Sequence, residues 1–210
     1  VVVDNLVTGS KDNLNSKAKF YKLDISDKAL SQVFADEAPE AVFHLAAQID
    51  VRKSVADPAW DAEQNIIAGI NLLENCRQHG VKKFIFSSTG GAIYGDTDKI
   101  PTTEDHPERP ISPYGIAKLT IEKYLHYYNQ VFGLPYVALR YANVYGPRQN
   151  SKGEAGVVAI FSDRLLSGNS ATINGDGKQT RDYVFVADVV KANLLALYSD
   201  KVGIYNIGTG

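Results

Sequence analysis

Hydrophobic positions along the 210-residue chain fall into two alternating kinds of segment. Short, nearly unbroken apolar runs occupy 1–3, 20–23, 41–45, 84–87 and 136–139. Between them lie longer stretches in which apolar residues recur three and four positions apart. The first kind predicts strands and the second predicts helices near 26–36, 57–79 and 113–132. For the middle helix, Asp57 is placed to cap, Pro58 to take the first helical position and Gly80 to end it. Strands that are apolar throughout have no solvent face, so the alternation predicts a parallel sheet with helices on both sides. That is a doubly wound α/β domain.

After about Gly146 the pattern changes. Glycine becomes frequent (Gly153, Gly156, Gly168, Gly175, Gly177), and the segments shorten to a helix near 157–166, strands at 171–173 and 183–186, and a helix over 188–198. The chain is therefore expected to comprise an α/β domain over 1–146 and part of a smaller region over 147–210, interleaved with returning elements of the first. The last residues, Asn206-Ile207-Gly208-Thr209-Gly210, read as a strand entering a loop. The chain opens on Val1-Val2-Val3 and contains no Met. Both ends are expected to be cut from a longer protein.

Composition narrows the function classes. Hydrophobic residues make up 44% and charged residues 22%, with a formal net charge of −2 and the basic residues dispersed. Neither a nucleic-acid stripe nor a membrane-surface helix is expected. No apolar run approaches a membrane span and no signal peptide opens the chain, so a cytoplasmic enzyme is expected. Cys76 is the single cysteine, which excludes an internal disulfide and a thiolate metal site. Following Leu72-Leu73, it is expected in the core. His44, at a strand end, is expected to be packed or hydrogen-bonded, and His79, His106 and His126 lack metal spacing with carboxylates. No metal is expected.

Candidate chemistry lies at strand ends, where parallel α/β sheets bind ligands. Asp4 closes the first strand and Asp24-Ile25 follows the second. An acid at such a position can accept hydrogen bonds from an adenosine ribose and repel a 2′-phosphate, which favours NAD over NADP. In Tyr114-Gly-Ile-Ala-Lys118, positions i and i+4 share one helix face, so an ammonium can stand beside a phenol. A phenol titrates near pH 10. For it to serve as a base near neutrality, the cation is expected to lower its pKa by roughly 3 units, about 4 kcal/mol. Upstream, the strand Lys82-Lys83-Phe84-Ile85-Phe86-Ser87-Ser88-Thr89 ends in hydroxyls and runs into Gly90-Gly91-Ala92-Ile93-Tyr94-Gly95.

This combination, with Ser112-Pro113-Tyr114-Gly115-x-x-Lys118, resembles the extended short-chain dehydrogenases, specifically the bacterial-type UDP-glucose 4-epimerases. Thr89 stands 25 residues before Tyr114, the separation found in that family. The resemblance extends over essentially all of the chain. It implies a Rossmann-like NAD domain whose first strand and glycine-rich loop are not among these residues, with Thr89, Tyr114 and Lys118 catalytic. It also implies cofactor contacts from Asp4, Asn5, Asp24, Ile25, Leu45, Ala46, Ala47, Gln48, Asn65, Ser87, Tyr114, Lys118, Tyr141 and Val144. Substrate contacts are implied for Thr89, Tyr114, Asn143, Val157, Thr172, Asn174 and Arg181, with Asn143 and Arg181 on the diphosphate; a guanidinium fork suits that role.

Within that superfamily, sugar 4,6-dehydratases carry Asp-Glu directly after the catalytic Thr, and decarboxylases usually carry Ser-Glu. Here Gly90-Gly91 follows. The resemblance therefore implies NAD-dependent epimerisation at C4 of a UDP-hexose through a transient 4-keto sugar. UDP-N-acetylglucosamine or UDP-glucuronate 4-epimerisation, or a non-catalytic nucleotide-sugar-binding role, are the alternatives. It further implies a homodimer through the helices over 57–79 and 113–132, with the aromatics Tyr124, Tyr127, Tyr128 and Phe132 shared between core and partner surface.

Overall fold

The computed structural model describes residues 1–152 and 156–210, so Gly153 lies outside the described residues. The first half runs β1 (Val2–Asp4), β2 (Phe20–Lys22), α1 (Leu30–Glu37), β3 (Ala41–His44), α2 (Val51–Ala56), α3 (Pro58–Ala62), a π turn (Glu63–Ile67), α4 (Ala68–Gln78), β4 (Lys83–Thr89) and α5 (Gly90–Ile93). The second half runs α6 (Pro113–Phe132), β5 (Tyr136–Tyr141), β6 (Asn143–Tyr145), α7 (Val157–Leu166), β7 (Tyr183–Phe185), α8 (Val186–Tyr198) and β8 (Gly203–Ile207). Among the described residues, no helix is long and apolar enough to cross a membrane.

All the strand pairs are parallel. β1 pairs with β2, and β3, β4, β5 and β8 form a four-stranded sheet in that order. β6 and β7 make a separate pair. The central strands β4 and β5 are buried almost throughout, as their unbroken apolar sequences require. On one face, Phe84, Phe86, Tyr136 and Ala138 pack with Leu30 and Phe34 of α1, Leu72, Leu73 and Cys76 of α4, and Ile121, Leu125 and Tyr128 of α6. On the other, Ile85, Val137 and Leu139 meet Ala192 and Ala196 of α8. Helices therefore cover both faces, and the doubly wound α/β fold expected from the alternation is present.

Three local expectations are corrected. The helix over 57–79 is not uniform: after Asp57 accepts from the Trp60 N–H at 3.0 Å, it widens into the π turn over Glu63–Ile67. There the Asn65 amide bonds both backbone groups of Gln48, each at 3.0 Å, a pairing that pulls its side chain out of the regular helical spacing. The helix expected from residue 26 begins only at Leu30, because Asp24 and Asp27 each bind a backbone N–H two residues on and hold turns instead. The strand expected at 171–173 is irregular; Arg164 takes its Ser170 carbonyl and Thr172 hydroxyl, and no ladder forms. The short elements α2 and β6 were not anticipated at all.

Candidate active site

The carboxyl ends of the parallel strands gather the candidate residues. β4 ends on Thr89 and β5 on Tyr141, which face each other in register. α6 is launched beside them by a strong start signal: Pro113 occupies its first turn and Ser112 Oγ accepts from the Gly115 N–H at 3.1 Å. This places Tyr114 in the first turn and Lys118 one turn deeper, on the face that meets β4. Gly115 lets the approach happen, because a Cβ there would lie 2.4 Å from the Ala92 backbone oxygen of α5.

The Thr89 hydroxyl lies near enough to the Tyr114 phenol to favour its ionised form. Lys118 is buried and donates from Nζ to the Ser87 carbonyl at 2.8 Å. Its ammonium lies 4.8 Å from the centre of the Phe86 ring and 5.9 Å from that of Tyr114. It therefore stands beneath the phenol ring rather than on the phenol oxygen. His44 stacks on the same Phe86 ring, buried and with Nδ1 unpartnered. Burial and the nearby Lys118 charge hold that imidazole neutral, with its pKa lowered to about 3.

The expectation that Lys118 lowers the Tyr114 pKa toward neutrality is overturned. Burial, reinforced by the Asp61 carboxylate, raises the phenol to about 12, and only the Thr89 hydroxyl works the other way. Lys118 is itself lowered to about 8 by desolvation, against the favourable fields of Asp61 and Glu122. The physical reason is burial: desolvation of the phenolate outweighs the help of the Thr89 hydroxyl, and the Lys118 ammonium is bonded to the Ser87 carbonyl rather than to the phenol oxygen. The protein by itself holds Tyr114 as a neutral phenol that donates or receives a proton only if something further stabilises the phenolate.

Other expected cofactor residues form two groups. Asp4 Oδ1 accepts from the Leu6 N–H at 2.6 Å, and a Cβ on Gly9 would come within 3.0 Å of the same oxygen. Asn5 Nδ2 donates to Asp24 at 2.7 Å, and Ser26 hydrogen bonds lower the Asp24 pKa. The Ile25 carbonyl accepts from Asn71 at 2.6 Å. Further along, Leu45 is exposed beside Ala46, Ala47 and Gln48, and Gln48 donates to Asp61 at 2.9 Å. Tyr141 receives the Asn193 amide at 2.7 Å and neighbours the Ser87 hydroxyl.

The expected substrate residues divide. Asn143 and Val144 line a cavity of about 300 Å³ with Tyr145, Gln149, Val158 and Tyr183. Asn143 is fixed there by two hydrogen bonds to the Asp182 carbonyl, at 2.9 and 3.1 Å. Thr172, Asn174 and Arg181 stay exposed and outside that lining; Thr172 accepts from Arg164 and Arg181 turns onto the Thr180 carbonyl. Val157 opens α7, but its neighbour Val158 is the one in the cavity wall.

Several residues escaped the sequence reading. Asp61 is fully buried with Oδ2 unpartnered, and its field reaches both Tyr114 and Lys118. Gln149 anchors the cavity rim through the Val144 carbonyl at 2.9 Å. Glu122, Arg140 and Ser88 form a buried polar cluster directly behind the site. Two signals pointed to that cluster: Glu122 continues the four-residue spacing of Tyr114 and Lys118, and Arg140 is a charge inside an apolar strand.

Comparison with known proteins identifies the family and the fold. The family profile described as "NAD dependent epimerase/dehydratase family" matches residues 1–208. The UDP-glucose 4-epimerase of Mycolicibacterium smegmatis is 46% identical over all of this chain and 69% of that protein. The crystal structure of UDP-glucose 4-epimerase with UDP-glucose from Thermotoga maritima superposes with a TM-score of 0.96 at 55% identity, over 99% of this chain and 68% of that one. The UDP-glucose 4-epimerase of Thermus thermophilus, in complex with NAD, gives 0.94 at 48%, over 99% and 69%.

Proposed function

The chain belongs to the NAD-dependent epimerase/dehydratase family, and from that premise we propose that it works as a nucleotide-sugar 4-epimerase interconverting UDP-galactose and UDP-glucose. The observation that carries this reading is the Thr89–Tyr114 contact at the strand ends, with Gly90-Gly91 rather than carboxylates next in the chain. A dehydratase needs an acid and a base to remove water. Oxidation at C4 and its reversal need only one proton-transferring group and one hydrogen-bond donor.

The residues present suit NAD. Asp4 and Asp24 set carboxylates at two strand ends for ribose and adenine hydrogen bonds, Leu45 offers exposed apolar surface, and Asn65 and Gln48 are locked together beside them. When bound, NAD would supply a hydride acceptor, in its reduced form a hydride donor, and a positive charge that favours the phenolate. Tyr114, once held as the phenolate, receives the 4-hydroxyl proton as C4 is oxidised and returns it when C4 is reduced from the other face. Thr89 donates to the same oxygen and steadies its charge. Lys118, fixed by Ser87, holds its ammonium beneath the Tyr114 ring and ties the end of β4 to α6. Asn143, in the cavity lining, is the proposed contact for the substrate diphosphate. Thr172, Asn174, Val157 and Arg181 remain proposed sugar-nucleotide contacts that the substrate itself would draw inward.

A second copy of the chain is the proposed partner. Ile116, Tyr127, Val131 and Phe132 stand exposed on α6, and Ile67 on the π turn before α4, an apolar surface on adjacent helices.

The test is turnover of purified protein on UDP-galactose, UDP-N-acetylgalactosamine and UDP-galacturonate, each with NAD or NADP, followed by proton NMR of the anomeric signals. UDP-glucose formation with NAD, and preference for NAD over NADP because of Asp4, is the expected result. Turnover of only the N-acetylated or uronate sugar would move the substrate assignment, and no turnover on any would end it.

A further inference from the structure

Three consecutive residues at the end of β4 each grip α6, and they do so at three α6 positions four residues apart. The Ser87 carbonyl accepts from Lys118 at 2.8 Å, Ser88 Oγ donates to Glu122 Oε1 at 2.6 Å, and the Thr89 hydroxyl meets Tyr114. Here Ser87 contributes its carbonyl while its hydroxyl faces Tyr141, and the Ser88 side chain makes the middle rung.

The middle rung is the most heavily anchored. Glu122 and Arg140 are both 1% exposed. Arg140 donates from Nε to Glu122 Oε1 at 3.0 Å and from a terminal amine to Oε2 at 2.6 Å. Arg140 lies opposite Ser88 in the β4–β5 register, so carboxylate, hydroxyl and guanidinium close on one another across three elements. The other Arg140 amine donates to the Tyr94 hydroxyl at 2.8 Å, and Tyr94 donates to Asn206 of β8 at 2.7 Å. Buried ion pairs of this kind add little net stability over an apolar packing of the same volume. What they do fix is direction, because a bidentate fork accepts few geometries.

We propose that Glu122 is a positioning residue for the reaction, holding through Ser88 the strand end that presents the Ser87 carbonyl to Lys118 and the Thr89 hydroxyl to Tyr114. This rests on the reading of the site as a 4-epimerase centre. Loss of the Ser88–Glu122 contact lets the β4 end shift against α6, which misaligns the Ser87–Lys118 and Thr89–Tyr114 contacts together. The charged and titratable groups facing Lys118 are Asp61 from α3, His44 from β3, and Tyr114 and Glu122 on its own helix. Facing Glu122 are Arg140 and Tyr136 of β5, with Glu108 on the far side of Arg140. Glu122 favours the ammonium form of Lys118, so its neutralisation shifts Lys118 deprotonation to lower pH.

The test uses Ser88→Ala and Glu122→Gln in the full-length protein. Ser88→Ala is expected to lower kcat roughly 10- to 100-fold with KM within about twofold, the signature of misalignment rather than lost binding. Its kcat–pH profile keeps the wild-type shape, since no charge is removed, whereas Glu122→Gln moves the alkaline limb to lower pH. Ser88→Ala retaining wild-type kcat while melting earlier would show a merely stabilising contact and overturn the proposal. If Glu122→Gln does not fold, Ser88→Ala decides alone. Wild-type turnover in the same assay tests the reaction separately. Should that be absent, the Lys118 13Cε resonance, read without substrate, is expected to move in Ser88→Ala as the Ser87 carbonyl is released; an unmoved resonance overturns the ladder.

Discussion

Lys118 carries its charge where water cannot reach it, and the consequences can be measured. Its pKa falls from 10.5 to about 8 because desolvation outweighs Asp61 and Glu122. Above pH 10.5 the lysine is neutral in both states and nothing is lost. As pH falls from 10.5 to 8 the unfolded chain takes up the proton first and stability declines. Below 8 the loss is constant, on the order of 3 kcal/mol before the Ser87 hydrogen bond offsets part of it. Lys118→Met is therefore expected to abolish turnover yet melt at or above the wild-type temperature at pH 7, with the gap narrowing from pH 8 to 10. A variant that melts lower at every pH contradicts this. For Thr89, replacement by Val keeps the shape and removes the hydroxyl that meets Tyr114, so turnover should drop about 10²-fold, while Thr89→Ser retains most of it. Full activity in Thr89→Val would reduce that contact to packing. Thr89, Tyr114 and Lys118 were singled out because the family resemblance pointed to them and the i, i+4 spacing puts the last two on one helix face. What Lys118 does was not legible in the sequence, since it depends on which oxygen its Nζ finds.

Elements differ in how much of their geometry is local. β4 and β5 could be read directly, because an apolar run with no solvent face has few other places to go. The π turn could not, since it exists only through Asn65 reaching Gln48, a partner 17 residues away in a loop. The irregular 171–173 segment failed in the other direction: three residues with strand character find no neighbouring strand, and Arg164 takes the Thr172 hydroxyl and the carbonyl of Ser170 just ahead of them. The contact between α5 and α6 gives the sharpest element-scale prediction. Alanine normally favours a helix over glycine by about 1 kcal/mol. At Gly115 the new methyl meets a backbone oxygen at 2.4 Å, which no rotamer change relieves. Gly115→Ala should lower stability by about 2 kcal/mol or more and displace Tyr114, seen as an earlier thermal transition with reduced kcat. An unchanged melting temperature would mean that α6 slides freely against α5.

At the scale of the whole molecule, the site depends on segments far apart in sequence. β8 hydrogen-bonds β5, and Asn206 within it receives Tyr94 and holds the Thr102 carbonyl, so the loop ahead of α6 is braced by the last strand. Asp182 does the same for the cavity, fixing Asn143 through its carbonyl and Thr209 through its carboxylate. Such long-range braces leave no local pattern, which explains why the sequence pointed to the candidate residues but not to their supports. The exposed apolar surface of α6 and the turn before α4 extends the argument to two chains. Sedimentation of the intact protein at micromolar concentration should show a dimer, and Val131→Glu, which puts a charge on that face, should give monomers. A wild-type monomer would leave the face unexplained. The central claim is that C4 is oxidised and then reduced again within one site. The direct measurement is turnover of UDP-galactose carrying deuterium at C4, with NAD, in ordinary water. Retention of the deuterium at C4 of the UDP-glucose formed is the predicted result; its loss to solvent, or release of water from the sugar, would contradict the account.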